Sequence, residues 1–214
     1  MTAADVRVCV FGDSFTAGVG DPTGAGWLGP VGSAARAAGH LLTVYGLGVR
    51  RNTSVDIARR WLEEASRRLQ DGDRSGVVFA FGTNDVDEQG GRRRVARDRT
   101  LALLAGMLDD AHGADWPALV IGPPPVLDAP ARARAADLTA GMAGVCAERG
   151  VPFVDLGGLQ EDPVWVVEIA AGDAFHPSTD GYVRLAALIE PAFVDWVAGL
   201  SGAPATVCRP ASPP

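Results

Sequence analysis

Lysine is absent from this 214-residue chain, and all 19 of its basic residues are arginine. The absence excludes chemistry that runs through an amine, such as a phosphate-loop lysine or a Schiff base to a carbonyl substrate or pyridoxal cofactor. Arginine stays protonated under ordinary conditions and is a poor general base. Acid–base work near neutrality therefore falls to three histidines, two tyrosines, three cysteines and the carboxylates. Cys9, Cys146 and Cys208 are odd in number and scattered, so they offer neither a disulfide framework nor metal-ligand spacing. A reducing, cytoplasmic setting is the expectation, and Met1–Asp5, which leads into the first apolar run without an export-type segment, reads the same way. No apolar run approaches the roughly 20 residues of a bilayer span. Positive charge is in deficit, with 19 basic against 26 acidic residues and a formal charge of −7. Although Arg92-Arg93-Arg94 is locally basic, acidic residues are interleaved with most such clusters, so nucleic acid is not an expected partner.

What is present is alternation. Short apolar runs at Val6–Phe11, Leu41–Tyr45, Gly76–Phe81, Ala118–Ile121 and Pro152–Asp155 read as five buried strands. Helical spacing recurs between and after them, at Val55/Ala58/Leu62/Ala65/Leu69, Leu101/Leu104/Ala105/Leu108, Leu138/Met142/Val145 and Tyr182/Leu185/Ala186/Ile189. This pattern predicts a three-layer α/β/α domain around a five-stranded parallel sheet in flavodoxin-like order. Thr53-Ser54-Val55-Asp56 suits a helix start, and Pro191 is expected to kink or end the last helix. One domain over residues 1–200 followed by a Pro/Ala/Ser-rich tail over 201–214 is the organisation expected.

In such a sheet, ligands bind beyond the C-terminal strand ends. The first strand delivers Ser14 within Gly12-Asp13-Ser14-Phe15, and the second delivers Gly46-Leu47-Gly48. The third delivers Gly82-Thr83-Asn84-Asp85, the fourth Gly122-Pro123-Pro124-Pro125, and Asp173-Ala174-Phe175-His176-Pro177 precedes the final helix. A hydroxyl, unobstructed backbone amides, a carboxamide donor and an imidazole with a nearby carboxylate are the types that acyl transfer needs.

At these residues the chain resembles the SGNH, or GDSL-type, esterase and acylhydrolase (lipase) family. Gly12-Asp13-Ser14, Gly48, Gly82-Thr83-Asn84-Asp85 and Asp173-x-x-His176 match that family's blocks in order and span most of the chain. The resemblance implies Ser14 as nucleophile, His176 as general base and then general acid, and Asp173 as the carboxylate orienting His176. It also implies an oxyanion hole made by the backbone amides of Ser14 and Gly48 and the side chain of Asn84. No cofactor or metal is called for, and the short connections, which leave no obvious lid domain, point to a small acyl ester or thioester as substrate. Phe15, Gly46 and Arg51 depart from the family pattern, which commonly has leucine, asparagine and a second glycine there.

Arg50 and Arg51 are further candidates for contact with a substrate, although solvent exposure is the simpler expectation; Trp27 and Trp165 are candidates for lining an acyl pocket and equally for the core. The glycines at 18, 20, 24 and 26 superficially suggest a dinucleotide loop, but the second strand lacks the acidic residue that would hold a ribose. Asp85, Asp87 and Glu88 lie on one loop without a second ligand-bearing segment and read as solvated carboxylates. Acyl transfer to an acceptor other than water would use the same residues, and a non-catalytic α/β binding module is the alternative outside enzymology.

Overall fold

The computed structural model describes residues 4–202. Five parallel strands, β1 (Asp5–Gly12), β2 (Leu41–Gly48), β3 (Arg74–Ala80), β6 (Ala118–Ile121) and β7 (Phe153–Val154), form one sheet in the order β2-β1-β3-β6-β7. That is the predicted flavodoxin-like order. A two-stranded antiparallel hairpin, β4 (Glu88–Gln89) and β5 (Arg92–Arg93), interrupts the alternation and was not expected from the hydrophobic pattern. Its strands carry no apolar residue, and its turn is made by Gly90 and Gly91, both at positive φ.

Helices α1 (Leu28–Ala37), α2 (Ser54–Arg68), α3 (Thr83–Val86), α4 (Arg97–Gly113), α5 (Ala129–Glu148), α6 (Pro163–Ala171) and α7 (Thr179–Gly202) complete the fold. The period-2 alternation of β1 divides the core. Val6, Val8 and Val10 face a cluster with α1, α6 and α7, while Cys9 and Phe11 face a second cluster with α2, α4 and α5. On the second side Trp61 of α2 meets Phe79 and Phe11 edge-to-face at ring separations of 5.2 and 6.2 Å.

The helix starts follow local chemistry. Thr53 and Asp56 form a reciprocal capping box at α2. Asp128 accepts from the Ala131 amide at α5, and Asp162 from the Val164 and Trp165 amides at α6, each with proline in the first turn. Helices α1 and α6 escape the periodicity analysis because each is short and buries few positions: Val31, Gly32 and Ala35 in one, Trp165 and Ile169 in the other.

Two boundaries differ from expectation. Helix α7 does not end at Pro191, because Ile189, Phe193, Val197 and Leu200 continue one buried stripe through it and offset the missing amide. It also carries on through Gly202, past the expected start of the tail; residues 203–214, Cys208 among them, lie outside the described residues.

Trp61 is 1 % exposed and makes two of the three aromatic contacts on its face of the sheet, so Trp61→Ala should lower unfolding free energy by about 3–5 kcal/mol in urea titration. A loss below about 1 kcal/mol would mean that this face packs otherwise.

Candidate active site

Three strand ends and the segment before α7 converge. Ser14 lies two residues beyond β1 and is 7 % exposed. Its Oγ is 2.7 Å from His176 Nε2, and His176 Nδ1 is 2.7 Å from Asp173 Oδ2, linking residues 162 positions apart in sequence. Asp173 shapes its own turn, since its Oδ1 accepts from the Phe175 amide at 3.0 Å and the His176 amide at 2.8 Å. Ala174 takes φ of 68° inside that turn, a conformation costly for a residue with a side chain. Partial burial alone would raise the Asp173 carboxyl, but the His176 amide and ring and the Phe175 amide outweigh it and hold Asp173 below the usual carboxylate range. An ionised Asp173 fixes the proton of His176 on Nδ1 and leaves Nε2 free to accept from Ser14.

Long-range bonds join the serine and histidine segments. Asp21 closes the glycine-rich loop after Ser14 by accepting from the Gly26 amide, and its Oδ1 accepts from Thr179 Oγ1 of α7 at 2.8 Å. Tyr182, also of α7, donates its hydroxyl to the Val19 carbonyl at 2.8 Å. The glycines at 18, 20, 24 and 26 thus belong to a turn organised by Asp21.

On the opposite side lie Gly48 and Asn84. Gly48 pairs with Gly12 at the shared end of β1 and β2, and a side chain there would collide with the Ala17 amide and the Asp13 carbonyl. Gly82, at φ 130° before α3, makes the turn that presents Asn84. Asn84 Nδ2 donates to Asp13 Oδ2 and to the Asn52 carbonyl, both at 3.1 Å, and its Oδ1 accepts from Arg94 Nη1 at 3.0 Å. The Ser14 amide donates to no group among the described residues.

Three residues around this site have roles that the sequence did not show. Asp13 is 1 % exposed and also accepts from the Phe15 amide; burial drives its carboxyl up to about 7. Asp85 is not the solvated carboxylate expected. It is buried, accepts from the Ser54 amide and hydroxyl and from Thr100, and is likewise raised by burial. Arg60 reaches from α2 to the Leu47 carbonyl at 2.8 Å, the Gly12 carbonyl at 3.2 Å and Asn52 Oδ1 at 2.9 Å.

The remaining candidates separate. Trp27 and Trp165 do not line a substrate pocket: both are buried in the α1/α6/α7 core, and Trp165 spends its indole N–H on the Pro125 carbonyl. Phe15 stacks on Trp165 at 6.2 Å and lies 4.9 Å from the His176 ring, so aromatic packing backs the histidine from below. Arg50 and Arg51 are exposed in the turn after Gly48, away from the triad contacts, and Arg51 adopts φ of 65° where glycine is common in the pattern. Pro123–Pro125 is buried, with Pro123 against the Gly82 turn. A cavity of about 20 Å³ beneath the Ser14 turn, lined in part by Phe15, Trp27 and Leu185, has room for a water and not for an acyl chain. A much larger cavity, about 1070 Å³, lies at the other end of the sheet among Leu69, Trp116 and Trp196 and includes none of these residues.

A hydroxyl, imidazole and carboxylate in hydrogen-bonded series beside clustered amide donors, at the strand ends of a three-layer sheet, define a serine-hydrolase arrangement. The chain belongs to the GDSL-like Lipase/Acylhydrolase family, whose pattern it matches over residues 10–184, and is an esterase/acylhydrolase acting on ester bonds. No curated protein sequence matches it significantly. Among solved structures it is similar to Axe2, an acetylxylan esterase from Geobacillus stearothermophilus, with TM-score 0.74 and 21 % identity over 89 % of this chain and 95 % of that one. It is also similar to LAE5, an alpha/beta hydrolase enzyme from the metagenome of Lake Arreo, Spain, with TM-score 0.74 and 21 % identity over 92 % and 98 %. A lipase/acylhydrolase from Enterococcus faecalis gives TM-score 0.71 and 24 % identity over 89 % and 96 %. These likenesses establish the α/β fold with its flanked five-stranded sheet. No helix among the described residues is long and apolar enough to cross a membrane.

The Asp13 carboxyl yields a pH prediction. Its folded value near 7 exceeds its ordinary 3.8, so between those values the folded protein holds a proton that the unfolded chain has released. The stability contribution of Asp13 is fully present below the unfolded value and is lost as pH rises through the folded one. From pH 5 to 7 it should fall by roughly 1 kcal/mol per unit. Urea titration of wild type and Asp13→Asn checks this: the difference in unfolding free energy should change with pH in that sense, and parallel curves would show that Asp13 is ionised throughout.

Proposed function

We propose that this protein hydrolyses carboxylic esters, and thioesters, of small acyl groups through an acyl-enzyme on Ser14. The hydrogen bond between Ser14 Oγ and His176 Nε2, with Asp173 behind it, is the observation that carries the reading. Ser14 Oγ attacks the substrate carbonyl carbon as its proton passes to His176 Nε2. The negative charge on the carbonyl oxygen is met by the amides of Ser14 and Gly48 and by Asn84 Nδ2, which exchanges its bond to the Asn52 carbonyl for one to the substrate. Collapse of the tetrahedral intermediate breaks the bond to the leaving oxygen or sulfur, which takes the proton from His176. Water then gives a proton to His176 and attacks the acyl carbon; His176 returns the proton to Ser14 as the acid departs.

Catalytic variants of Axe2 replace one serine, one aspartate and one histidine, the last two separated by three positions as Asp173 and His176 are. Axe2 is an acetylxylan esterase, and that likeness supports a short acyl group.

Wild type should be labelled by a fluorophosphonate probe and should hydrolyse 4-nitrophenyl acetate, with kcat/KM declining from acetyl to octanoyl esters. Ser14→Ala should lose labelling and at least about 10³-fold in kcat, and Asn84→Ala about 10²–10³-fold. Wild-type protein that is neither labelled nor active on any ester would sink the proposal, whereas a rate rising steadily to octanoyl would overturn the short-acyl part alone.

A further inference from the structure

We propose that Arg94 is a positioning residue for the oxyanion side: it determines which end of the Asn84 carboxamide faces the substrate. The inference rests on the reading of Asn84 as an oxyanion donor and concerns how that donor is aimed.

The two ends of a carboxamide are nearly equal in shape, and only the nitrogen end can donate. Three groups surround Asn84: Asp13 Oδ2, the Asn52 carbonyl and Arg94 Nη1. The Asn52 carbonyl only accepts and therefore favours the nitrogen end. Asp13 does so only while ionised, and burial brings its carboxyl to about 7, where a substantial fraction carries a proton and can donate instead. Arg94 has donors alone in every accessible state and can face only the oxygen end. It therefore holds the orientation when Asp13 no longer selects it. Its charge on Oδ1 also polarises the amide, strengthening Nδ2–H as a donor.

The same guanidinium spans a second gap. Arg94 Nη2 donates to the Arg51 carbonyl at 2.8 Å, in the turn between Gly48 and Asn52. One planar fork thus sets the Asn84 turn against the loop that follows Gly48. Arg94 is itself placed by the β4–β5 hairpin: its amide donates to the Asp87 carbonyl at 2.9 Å, and the next residue, Val95, donates to the Asp85 carbonyl at 3.2 Å.

The test is a double-mutant cycle on 4-nitrophenyl acetate. Turnover by wild type that Ser14→Ala abolishes and Asn84→Ala impairs tests the underlying reading, so its failure is recognised first. Arg94→Ala should then lower kcat about 10- to 100-fold with KM within about twofold, and added guanidinium should restore part of kcat. In the Asn84→Ala background the same change should cost less than about twofold and show no rescue. Arg94→Lys, which keeps the charge without the fork, should remain impaired and serves as the second variant if Arg94→Ala does not fold. Wild-type kcat in a folded Arg94 variant, an equal fold loss with and without Asn84, or a rise in KM at constant kcat would each overturn the inference.

Discussion

The Asn84 side of this site hangs on a carboxylate that solvent scarcely reaches. Asp13 follows β1 directly, and its two oxygens hold the Phe15 amide, which shapes the Ser14 turn, and Asn84 Nδ2, which belongs to the next strand end. No arginine forms an ion pair with it among the described residues. Burying a carboxylate on two hydrogen bonds is costly, and the second buried carboxylate, Asp85, adds repulsion. The two are treated differently by their surroundings. Asp85 receives the Ser54 amide and hydroxyl and the Thr100 hydroxyl, so it pins α3 to α2 and α4, while Asp13 has fewer donors and takes the larger rise toward neutrality. A donor-poor carboxylate beside the serine is thus part of how Asn84 is brought within reach.

The other half of the site is built on a different principle. Asp173 and His176 are three residues apart, and one carboxylate fixes both their turn and the imidazole, so their relation is local. Their relation to Ser14 is not local. It is carried by Asp21 and Tyr182, which bind α7 to the loop after the serine through Thr179 and the Val19 carbonyl. Burial alone would raise Asp21, yet the donors from Thr23, Thr179 and Gly26 draw it down to about 2. The tie therefore remains charge-assisted across ordinary pH.

These two principles account for what could be read from sequence. The strand order and the five strands were legible because parallel strands buried on both faces leave continuous apolar runs. The candidate site residues could be picked out because they sit at strand ends or in a short motif and two are rare types: His176 is one of three histidines and Asn84 one of two asparagines. Asn52, the other asparagine, sits in the same site, with its carbonyl on Asn84 and its side chain on Arg60, and its scarcity was the signal that could have found it. Trp27 and Trp165 stood open between pocket and core because an aromatic reads alike whether it faces a ligand or the core, and both lie in the core. Asp13 and Asp85 were illegible as buried carboxylates, since burial is decided by helices packed from elsewhere in the chain. The β4–β5 hairpin was missed because two residues per strand give no periodicity.

The absence of lysine acquires structural meaning at this point. Around Asn84, cations bind carbonyl oxygens from separate segments. Arg60 joins the Leu47 and Gly12 carbonyls and the Asn52 side chain, and Arg94 joins the Asn84 side chain and the Arg51 carbonyl. A guanidinium makes such bonds from one rigid plane, so fixing one acceptor helps to fix the next, whereas an ammonium on a flexible stem would leave their mutual distances free. Arg60 adds a face to this role by lying over the Phe11 ring at 5.7 Å, which couples the loop scaffold to the aromatic core of the sheet. The loops that carry Gly48 and Asn52 are thereby tied to the same aromatic core.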